Sequence, residues 1–222
     1  MKSDADLPAG SGYSRAYSES FCLAFQDLAK SDLTEICRRT GGKRLSEHQI
    51  SLIFLGENVT VDIARQIVLS SNNPLSMPDQ LVMLHYLVTS DESEPSGRLI
   101  SFKELNEGTP YYPTFYNRAI APIVKQFGDS PGTLITASIS VGGQAVSLGD
   151  AGISIQILPK IKLYWVLWHG DSDFPAEGAL LFDEHISKYL PVEDIAVLGQ
   201  SIALKLCRSC QCNLDNEHRG AI

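Results

Sequence analysis

The sequence predicts an α+β fold with a single domain, in which a largely antiparallel sheet of two hairpins and a short strand is covered by helices. Segment 49–63 alternates apolar and polar residues on both sides of a turn, and segment 151–168 joins an alternating run to a strongly apolar one. Both are patterns of a β-hairpin. Helical spacing appears before, between and after these hairpins, without strict strand–helix alternation, which favours an antiparallel sheet.

The N-terminal third is predicted to contain a leader, a helix and the first hairpin. Residues 1–17 are polar and contain Gly and Ser, and we expect a flexible leader. Ser18–Arg39 carries apolar residues close to the helical period, and Gly41–Gly42 ends this helix. In the hairpin, the segment "GEN" turns the chain between two alternating runs. The alternating apolar residues are Ile50, Leu52, Phe54, Val59, Val61 and Ile63.

The middle of the chain is predicted to be mainly helical. Residues 78–90 begin with Pro and Asp, which favour the start of a helix. Residues 98–105, "RLISFKEL", form a strand or an irregular segment. A second helix covers Pro113–Phe127, with a kink or break at Pro122 because proline lacks a backbone N–H. The following "PGTLITASISVGG" continues as a helix.

The C-terminal third is predicted to contain the second hairpin and a long helix. "AGISIQILP" and "KIKLYWVLW" are the strands of this hairpin, with the turn at Pro159–Lys160, and "GALLF" is a short third strand. The helix that follows has a proline in its first turn, where Glu193 and Asp194 complement the positive end of the helix dipole. The predicted boundaries are residues 18–206 for the domain and 207–222 for a polar, Cys-containing tail.

Composition argues against two classes of partner. The formal net charge is −8, whereas nucleic-acid binding relies on clustered Lys and Arg, so we expect no nucleic-acid partner. No stretch approaches roughly 18 uninterrupted apolar residues and no apolar signal segment is visible, so we expect a cytoplasmic protein without a membrane partner. An unknown protein or a small-molecule ligand is the expected partner.

One acidic stretch, "WHGDSDFPAEGALLFD", lacks a compensating cation. It holds the candidate catalytic residues His169, Asp171, Asp173 and Asp183, and residues 163–187 contain no Lys or Arg. In an extended segment the first three would share one face and could hold a hard cation through oxygen ligands. Alternatively, the Asp side chains accept hydrogen bonds from backbone amides of a turn. The third alternative is a loop that contacts a substrate or partner.

A second candidate site lies in the tail, "CRSCQCNLDNEH". Cys207, Cys210, Cys212 and His218 are candidate metal ligands there. Zinc takes four N or S ligands in a tetrahedron, and an iron–sulfur cluster usually takes four cysteines, so both cofactors are candidates. The alternative is reduced thiols at the end of a helix.

Two further groups are candidates for a site. His85, in "MLHYL", is a candidate catalytic residue on an otherwise apolar helix, and the alternative is a hydrogen-bonded histidine in or beside the core. Tyr111, Tyr112, Tyr116 and Arg118 are candidates for lining a ligand pocket. Their alternative is core packing with the tyrosine hydroxyls at its edge.

Three stretches together are similar to one known family: "LHYL", "GRLISFKEL" followed by "GTPYYPTF", and "ILPKIKLYWVLWHGDSDFPAEGALLFDEHISKYLPVEDIAVLG". From about Phe21 to Gly199 the chain resembles DUF3786, a domain of unknown function. The family pattern includes Gly-Asp-x-acid-Phe-Pro-Ala-Glu and Tyr-Leu-Pro-x-Glu-Asp, and Asp173 stands where it favours Glu. The resemblance implies a protein typical of anaerobic bacteria and archaea, some of whose relatives carry a preceding iron–sulfur domain. It implies no catalytic residues.

Two hypotheses about function follow. The first is a soluble binding or accessory protein, whose acidic turn and Tyr-rich segment recognise a ligand or partner, linked to anaerobic iron–sulfur or corrinoid metabolism. The second is a metal-assisted or acid–base enzyme that uses Asp171, Asp173 and Asp183, with His85 or His169 assisting. The enzyme hypothesis predicts that these side chains converge in one pocket.

Overall fold

The computed structural model describes the backbone of residues 11–72 and 74–219 and the side chains of residues 17–72 and 74–210. Residues 1–10 of the predicted leader lie outside the described residues, whereas residues 11–17 belong to the first helix, which therefore begins earlier than the predicted Ser18. The helices are α1 (Ser11–Lys30), α2 (Leu33–Thr40), α3 (Met77–Thr89), α4 (Gly108–Phe115), α5 (Ala121–Phe127), α6 (Gly132–Ser138) and α7 (Val192–Arg219). The strands are β1 (Lys43–Arg44), β2 (Gln49–Phe54), β3 (Glu57–Asp62), β4 (Ile67–Ser70), β5 (Leu99–Ser101), β6 (Gln144–Val146), β7 (Ala151–Leu158), β8 (Ile161–Trp168) and β9 (Glu177–Asp183).

The predicted α+β class is confirmed, and each hairpin forms the centre of its own antiparallel sheet. The first sheet has the order β1-β2-β3-β4, and the second has the order β5-β9-β8-β7-β6. The two hairpins therefore do not share one sheet. The free edge of β7 is occupied by the short strand β6. The first hairpin contacts β7 through β2 and through its turn, where Leu55 N–H donates to the Ile157 carbonyl over 2.9 Å.

The first hairpin follows the predicted alternation. Ile50 pairs with Val61 and Leu52 with Val59, and all four side chains are buried. The turn lies at Leu55–Gly56 and not across the predicted "GEN", because Glu57 and Asn58 already pair in β3. The φ values of 50° and 78° place Leu55 and Gly56 in the left-handed region. Two such residues characterise the tight hairpin turn whose twist matches that of the strands.

The second hairpin supplies the floor of the larger core. Ile153, Ile155 and Ile157 of β7 are fully buried, and Trp165 is buried on β8. Trp165 Nε1 donates to the Ala119 carbonyl over 3.2 Å, so the indole polar atom is satisfied inside the helical layer. Alternate residues of these strands thus face the helices.

Helix α7 crosses this layer and packs against α3, α4, α5 and α6. It packs tightly at Gly199, where an added Cβ would lie 3.0 Å from a Leu180 methyl carbon and 3.1 Å from the Phe115 ring. The absence of a side chain lets α7 lie directly over α4 and β9. Helix α7 continues without a break past residue 207, where the tail was predicted to begin.

Two predicted helices are interrupted. The predicted helix Ser18–Arg39 divides into α1 and α2 because Asp32 caps α2, its carboxylate accepting from Thr34 N–H over 2.8 Å. The predicted helix Pro113–Phe127 divides into α4, a π-helical turn (Tyr116–Ile120) and α5. The break thus comes just before Pro122, as expected for a residue without a backbone N–H.

Within residues 11–72 and 74–219, no helix combines the length and apolar composition needed to span a bilayer. The buried residues of the first sheet, the second sheet and the helices instead form one continuous hydrophobic core.

Candidate functional site

The acidic stretch forms a turn between β8 and β9. Asp171 Oδ1 accepts the backbone N–H groups of Asp173 and Phe174, each over 2.8 Å, and Asp171 N–H donates to the Phe174 carbonyl. These two amides are the main reason that the pKa of Asp171 is lowered. The carboxylate is thus engaged in the local capping that is one of the alternatives for this stretch. The Asp173 side chain is exposed.

Asp183 has a different role at the opposite end of β9. Its carboxylate accepts backbone N–H groups from Gly97 over 2.7 Å, His185 over 2.9 Å and Ser96 over 3.1 Å. Burial raises the pKa of Asp183, but the three amides outweigh burial and the net pKa is lowered. Asp183 therefore fastens the loop before β5 to the end of β9. Since Glu177 and Asp183 bound this strand, Asp171 and Asp183 lie at its two ends and do not converge.

His169 ties the end of β8 to α5. Its backbone N–H donates to Asp150 Oδ2 over 2.7 Å, and its Nδ1 lies 3.1 Å from the Gly128 carbonyl. A carbonyl only accepts, so Nδ1 carries the proton in this contact. Among the residues whose side chains are described, no group of three His, Cys, Asp or Glu is arranged to hold a metal ion.

The described cysteines of the tail face α5. Cys207 Sγ lies 3.8 Å from the Pro122 carbonyl, and Cys210 Sγ lies 3.7 Å from Gln126 Nε2. Burial raises the pKa of the Cys207 thiol, which favours its neutral form. The side chains of Cys212 and His218 lie outside the described residues, so the four-ligand site stays a prediction.

The Tyr-rich segment lies along α4 and the π-helical turn. Phe102 and Phe115 stack with ring centroids 4.0 Å apart. Tyr111 packs against Phe102, and Tyr112 packs against Phe115 and Tyr116. Lys103 Nζ lies 4.2 Å from the Tyr112 ring centroid. The remaining candidates, Tyr111 and Arg118, are exposed. The tyrosines are thus brought together over the core, in the arrangement expected of edge packing.

His85 forms the pair that most resembles a functional site. Its Nδ1 lies 2.6 Å from Asp194 Oδ2, and the side chains are 26% and 10% exposed. His85 lies in the middle of α3, and Asp194 in the first turn of α7. Because a carboxylate faces Nδ1, this nitrogen carries a proton and Nε2 is the atom left for other partners.

A cleft of about 260 Å³ opens beside this pair. One wall comes from α1, and the other from α3 and the residue that precedes α7. The lining residues are Ser20, Leu23, Ala24, Asp27, His85, Val88, Thr89 and Pro191. Its apolar walls carry a few polar groups, and its volume lies below the roughly 300–1,000 Å³ of drug-sized pockets, so it suits only a small ligand.

A second contact holds the same two helices in register. Asp79 is fully buried on α3, and its carboxylate accepts from Ser201 Oγ over 2.6 Å and from Lys205 Nζ over 2.9 Å on α7. The Thr89 hydroxyl lies 2.6 Å from the Tyr189 carbonyl, just before α7. With contacts on both sides of it, the pair His85–Asp194 has a fixed geometry.

Both members of this pair lie inside a match to a family model. Residues 32–205 match DUF3786, which is described as a domain of unknown function. The chain belongs to the DUF3786 family. No curated protein and no solved structure gives a significant match. The DUF3786 match includes α3 and the start of α7 but not the α1 wall of the cleft.

Sequence reasoning named His85 but missed Asp194, which it interpreted only as a dipole-complementing residue. The two lie 109 positions apart, so no local spacing connects them. A signal was nevertheless present, because the resemblance to DUF3786 contained both "LHYL" and "YLPVED". No pattern in the sequence pointed to Asp27, Thr89 or Asp79 as residues at or beside the cleft.

Proposed function

We propose that this DUF3786 protein is a binding protein that takes a small ligand in the cleft between α1, α3 and the start of α7. The observation that carries the proposal is the 2.6 Å contact between His85 and Asp194 at the cleft. We thus keep the binding function expected from the sequence, but assign the ligand to the cleft instead of the acidic turn and the Tyr-rich segment.

The chemistry of the lining narrows the class of ligand. Asp194 orients His85 so that Nε2 accepts a hydrogen bond when the imidazole is neutral. Asp27 and Ser20 add a carboxylate and a hydroxyl from α1, while Leu23 and Val88 are apolar. A small molecule with an ammonium or hydroxyl group and a short apolar body complements this arrangement.

The test uses a panel of primary amines and alcohols with short alkyl chains as probes. We expect amide chemical-shift changes in α1 and α3 around the cleft. In the variant H85Q the dissociation constant should rise at least about tenfold, which corresponds to about 1.4 kcal/mol. H48Q is the matched control, since His48 is exposed in the loop between β1 and β2. Equal affinities in H85Q and H48Q, or no shifts at the cleft, would refute the proposal.

A second candidate function is acid–base catalysis in the same cleft. The observation in its favour is that Asp194 hydrogen-bonds to Nδ1 of His85, the arrangement that orients a histidine as a general base. The enzyme alternative based on Asp171, Asp173 and Asp183 finds less support, since two of these carboxylates are engaged with backbone amides at opposite ends of β9.

Turnover distinguishes the two candidate functions. Compounds that bind the wild type are incubated with it and followed by NMR. Catalysis predicts that a bound compound is converted, and that D194N binds it but converts it about 10²–10⁴ times more slowly. Bound compounds that stay unchanged would argue for binding alone.

The link to anaerobic iron–sulfur or corrinoid metabolism is a separate proposal, supported only by the resemblance and by the spacing of Cys207, Cys210 and Cys212. Anaerobic purification followed by elemental analysis tests it. A resident site predicts about one equivalent of zinc, or about two to four of iron for a cluster, per chain. The metal should be lost in C210S and retained in C22S, since Cys22 is exposed on α1. Metal below about a tenth of an equivalent in the wild type would contradict it.

A further inference from the structure

Phe174, at the tip of the turn between β8 and β9, exposes an unusually large apolar surface. It is 72% exposed, the highest value among the large apolar side chains that the structure describes. Trp168, at the end of β8 where this turn begins, is 42% exposed. Exposed aromatic residues are typical of contacts with another protein.

The turn holds Phe174 in a defined position. Asp171 Oδ1 accepts the Phe174 N–H, and the Phe174 carbonyl accepts the Asp171 N–H, each over 2.8 Å. Gly170 packs directly under Pro175 and Ala176, where an added Cβ would lie 2.5 Å from the Ala176 nitrogen. A side chain presented by a preorganised turn loses little conformational entropy when a partner binds it.

The surroundings of Phe174 are strongly negative. Five exposed carboxylates lie on the turn or on the segments that it contacts: Asp129, Asp150, Asp171, Asp173 and Glu177. Asp129 and Asp150 are placed here because His169 contacts the Gly128 carbonyl and the Asp150 carboxylate. None of the five forms an ion pair with a Lys or Arg among the residues whose side chains are described.

Two cations on the elements around the turn form no ion pair with these five carboxylates. Lys125 lies one turn earlier on α5, and Lys162 is near the other end of β8. The chain's net charge of −8 adds to the local field. Electrostatic complementarity therefore selects a partner with clustered Lys or Arg.

Two other occupants fit less well. A second copy of the chain, meeting this one through the same turn, would place the two sets of carboxylates against each other, and like charges repel. A small molecule requires a concave site, whereas Phe174 is the tip of a protruding turn. The surface is also separate from the cleft. Thr89 of the cleft lining donates to the Tyr189 carbonyl, and Lys160 Nζ lies over the Tyr189 ring. Lys160 precedes β8 at the end opposite to Trp168.

We infer that the surface formed by Phe174 and the surrounding carboxylates binds a basic amphipathic segment of another protein. The apolar side of that segment covers the Phe174 ring, and its Lys or Arg residues face Asp173 and Glu177. This interaction is independent of the proposed ligand cleft.

The probe is an 18-residue amphipathic helical peptide of Lys, Leu and Ala. Two control peptides accompany it: one with Glu in place of Lys, and one with the same composition scrambled to remove the apolar face. We expect the basic amphipathic peptide to bind the wild-type protein more tightly than either control, with an affinity that falls as salt rises.

Three variants assign the binding to this surface. F174S and the double variant D173N/E177Q should each weaken binding at least fivefold. L69S is the matched control, because Leu69 is 51% exposed on β4 in the other sheet, and it should bind as the wild type does. Thermal unfolding of each variant checks that the fold is retained.

Several outcomes would overturn the inference. They are no binding of the basic amphipathic peptide, equal binding of the acidic or scrambled peptide, or equal losses in F174S and L69S. A dimer of the wild type that light scattering detects and that F174S abolishes would also overturn it, since the occupant would then be a second copy of the chain.

Discussion

At the residue scale, the carboxylates of Asp171 and Asp183 in the acidic stretch accept their hydrogen bonds mainly from backbone amides. Such residues stand out in the sequence because residues 163–187 contain no Lys or Arg. Two uncompensated carboxylates 4 Å apart repel each other by roughly 4 kcal/mol at an effective dielectric near 20. The structure meets that repulsion by separating them and giving each its own amide donors. His85 and Asp194 differ from these acids, because they are far apart in the sequence and only the fold brings them together.

Asp183 provides a pH-dependent contribution to stability. Its pKa is lowered in the folded protein, so its contribution is present above the ordinary Asp value of about 3.9 and is lost as the pH falls through the lowered folded-state value. We expect D183N to be destabilised by about 2 kcal/mol at pH 7. The difference from wild type should shrink towards pH 2.

Urea denaturation of both proteins between pH 7 and pH 2 measures this difference. D173N is the control, because the Asp173 side chain is exposed on the same stretch of the chain, and it should follow the wild type within about 0.5 kcal/mol throughout. A D183N deficit that stays constant with pH would assign the loss to packing and not to the charged carboxylate.

At the element scale, the sequence predicted what local periodicity can specify. Both hairpins appear as expected because the alternation places Ile50, Leu52 and the β7 isoleucines inside. The break between α1 and α2 was missed, because the apolar spacing continues across Ser31–Asp32 and only the cap of Asp32 ends it. The strands β1, β4 and β6 were missed as well. They have two to four residues each and lie at sheet edges, so their pairing partners specify them more than their own pattern does.

The connection between β3 and β4 contains a strained residue that can be relieved. Gln66 is exposed and has φ 55°, a conformation that costs an L-residue about 1–2 kcal/mol and glycine almost nothing. After allowing for the greater unfolded-state entropy of glycine, we expect Q66G to raise the free energy of unfolding by about 0.5–1 kcal/mol.

Chemical denaturation of Q66G beside A64G checks the cause. Ala64 is exposed in the same connection but has φ outside the left-handed region, so A64G should lower the free energy of unfolding by about 0.5–1 kcal/mol. Opposite signs for the two variants are the expected result. A loss of stability in both would show that Gln66 contributes through contacts of its side chain.

At the scale of the whole molecule, the number of sheets could not be predicted from the sequence. The choice between one sheet and two depends on which edge β7 leaves free, and that edge is taken by β6, a short strand with little pattern of its own. The location of the cleft also depends on long-range packing, because it needs α1, α3 and the start of α7 together. The DUF3786 resemblance contained the residues of the pair but not this arrangement.

The two sheets share one hydrophobic core, and this predicts that they unfold together. Phe54 of the first sheet is fully buried in that core, and F54A should lower the free energy of unfolding by about 3–5 kcal/mol. Both tryptophans, Trp165 and Trp168, lie on β8, so tryptophan fluorescence reports only on the second sheet.

Far-UV circular dichroism and tryptophan fluorescence, followed through the same denaturant titration, therefore decide the point. In one cooperative unit, F54A moves both midpoints equally, although the substitution is in the other sheet. If the fluorescence midpoint stayed at the wild-type value while the circular dichroism signal split into two transitions, the sheets would be separate folding units. The Leu55–Ile157 backbone bond and the shared core would then contribute less than their burial indicates.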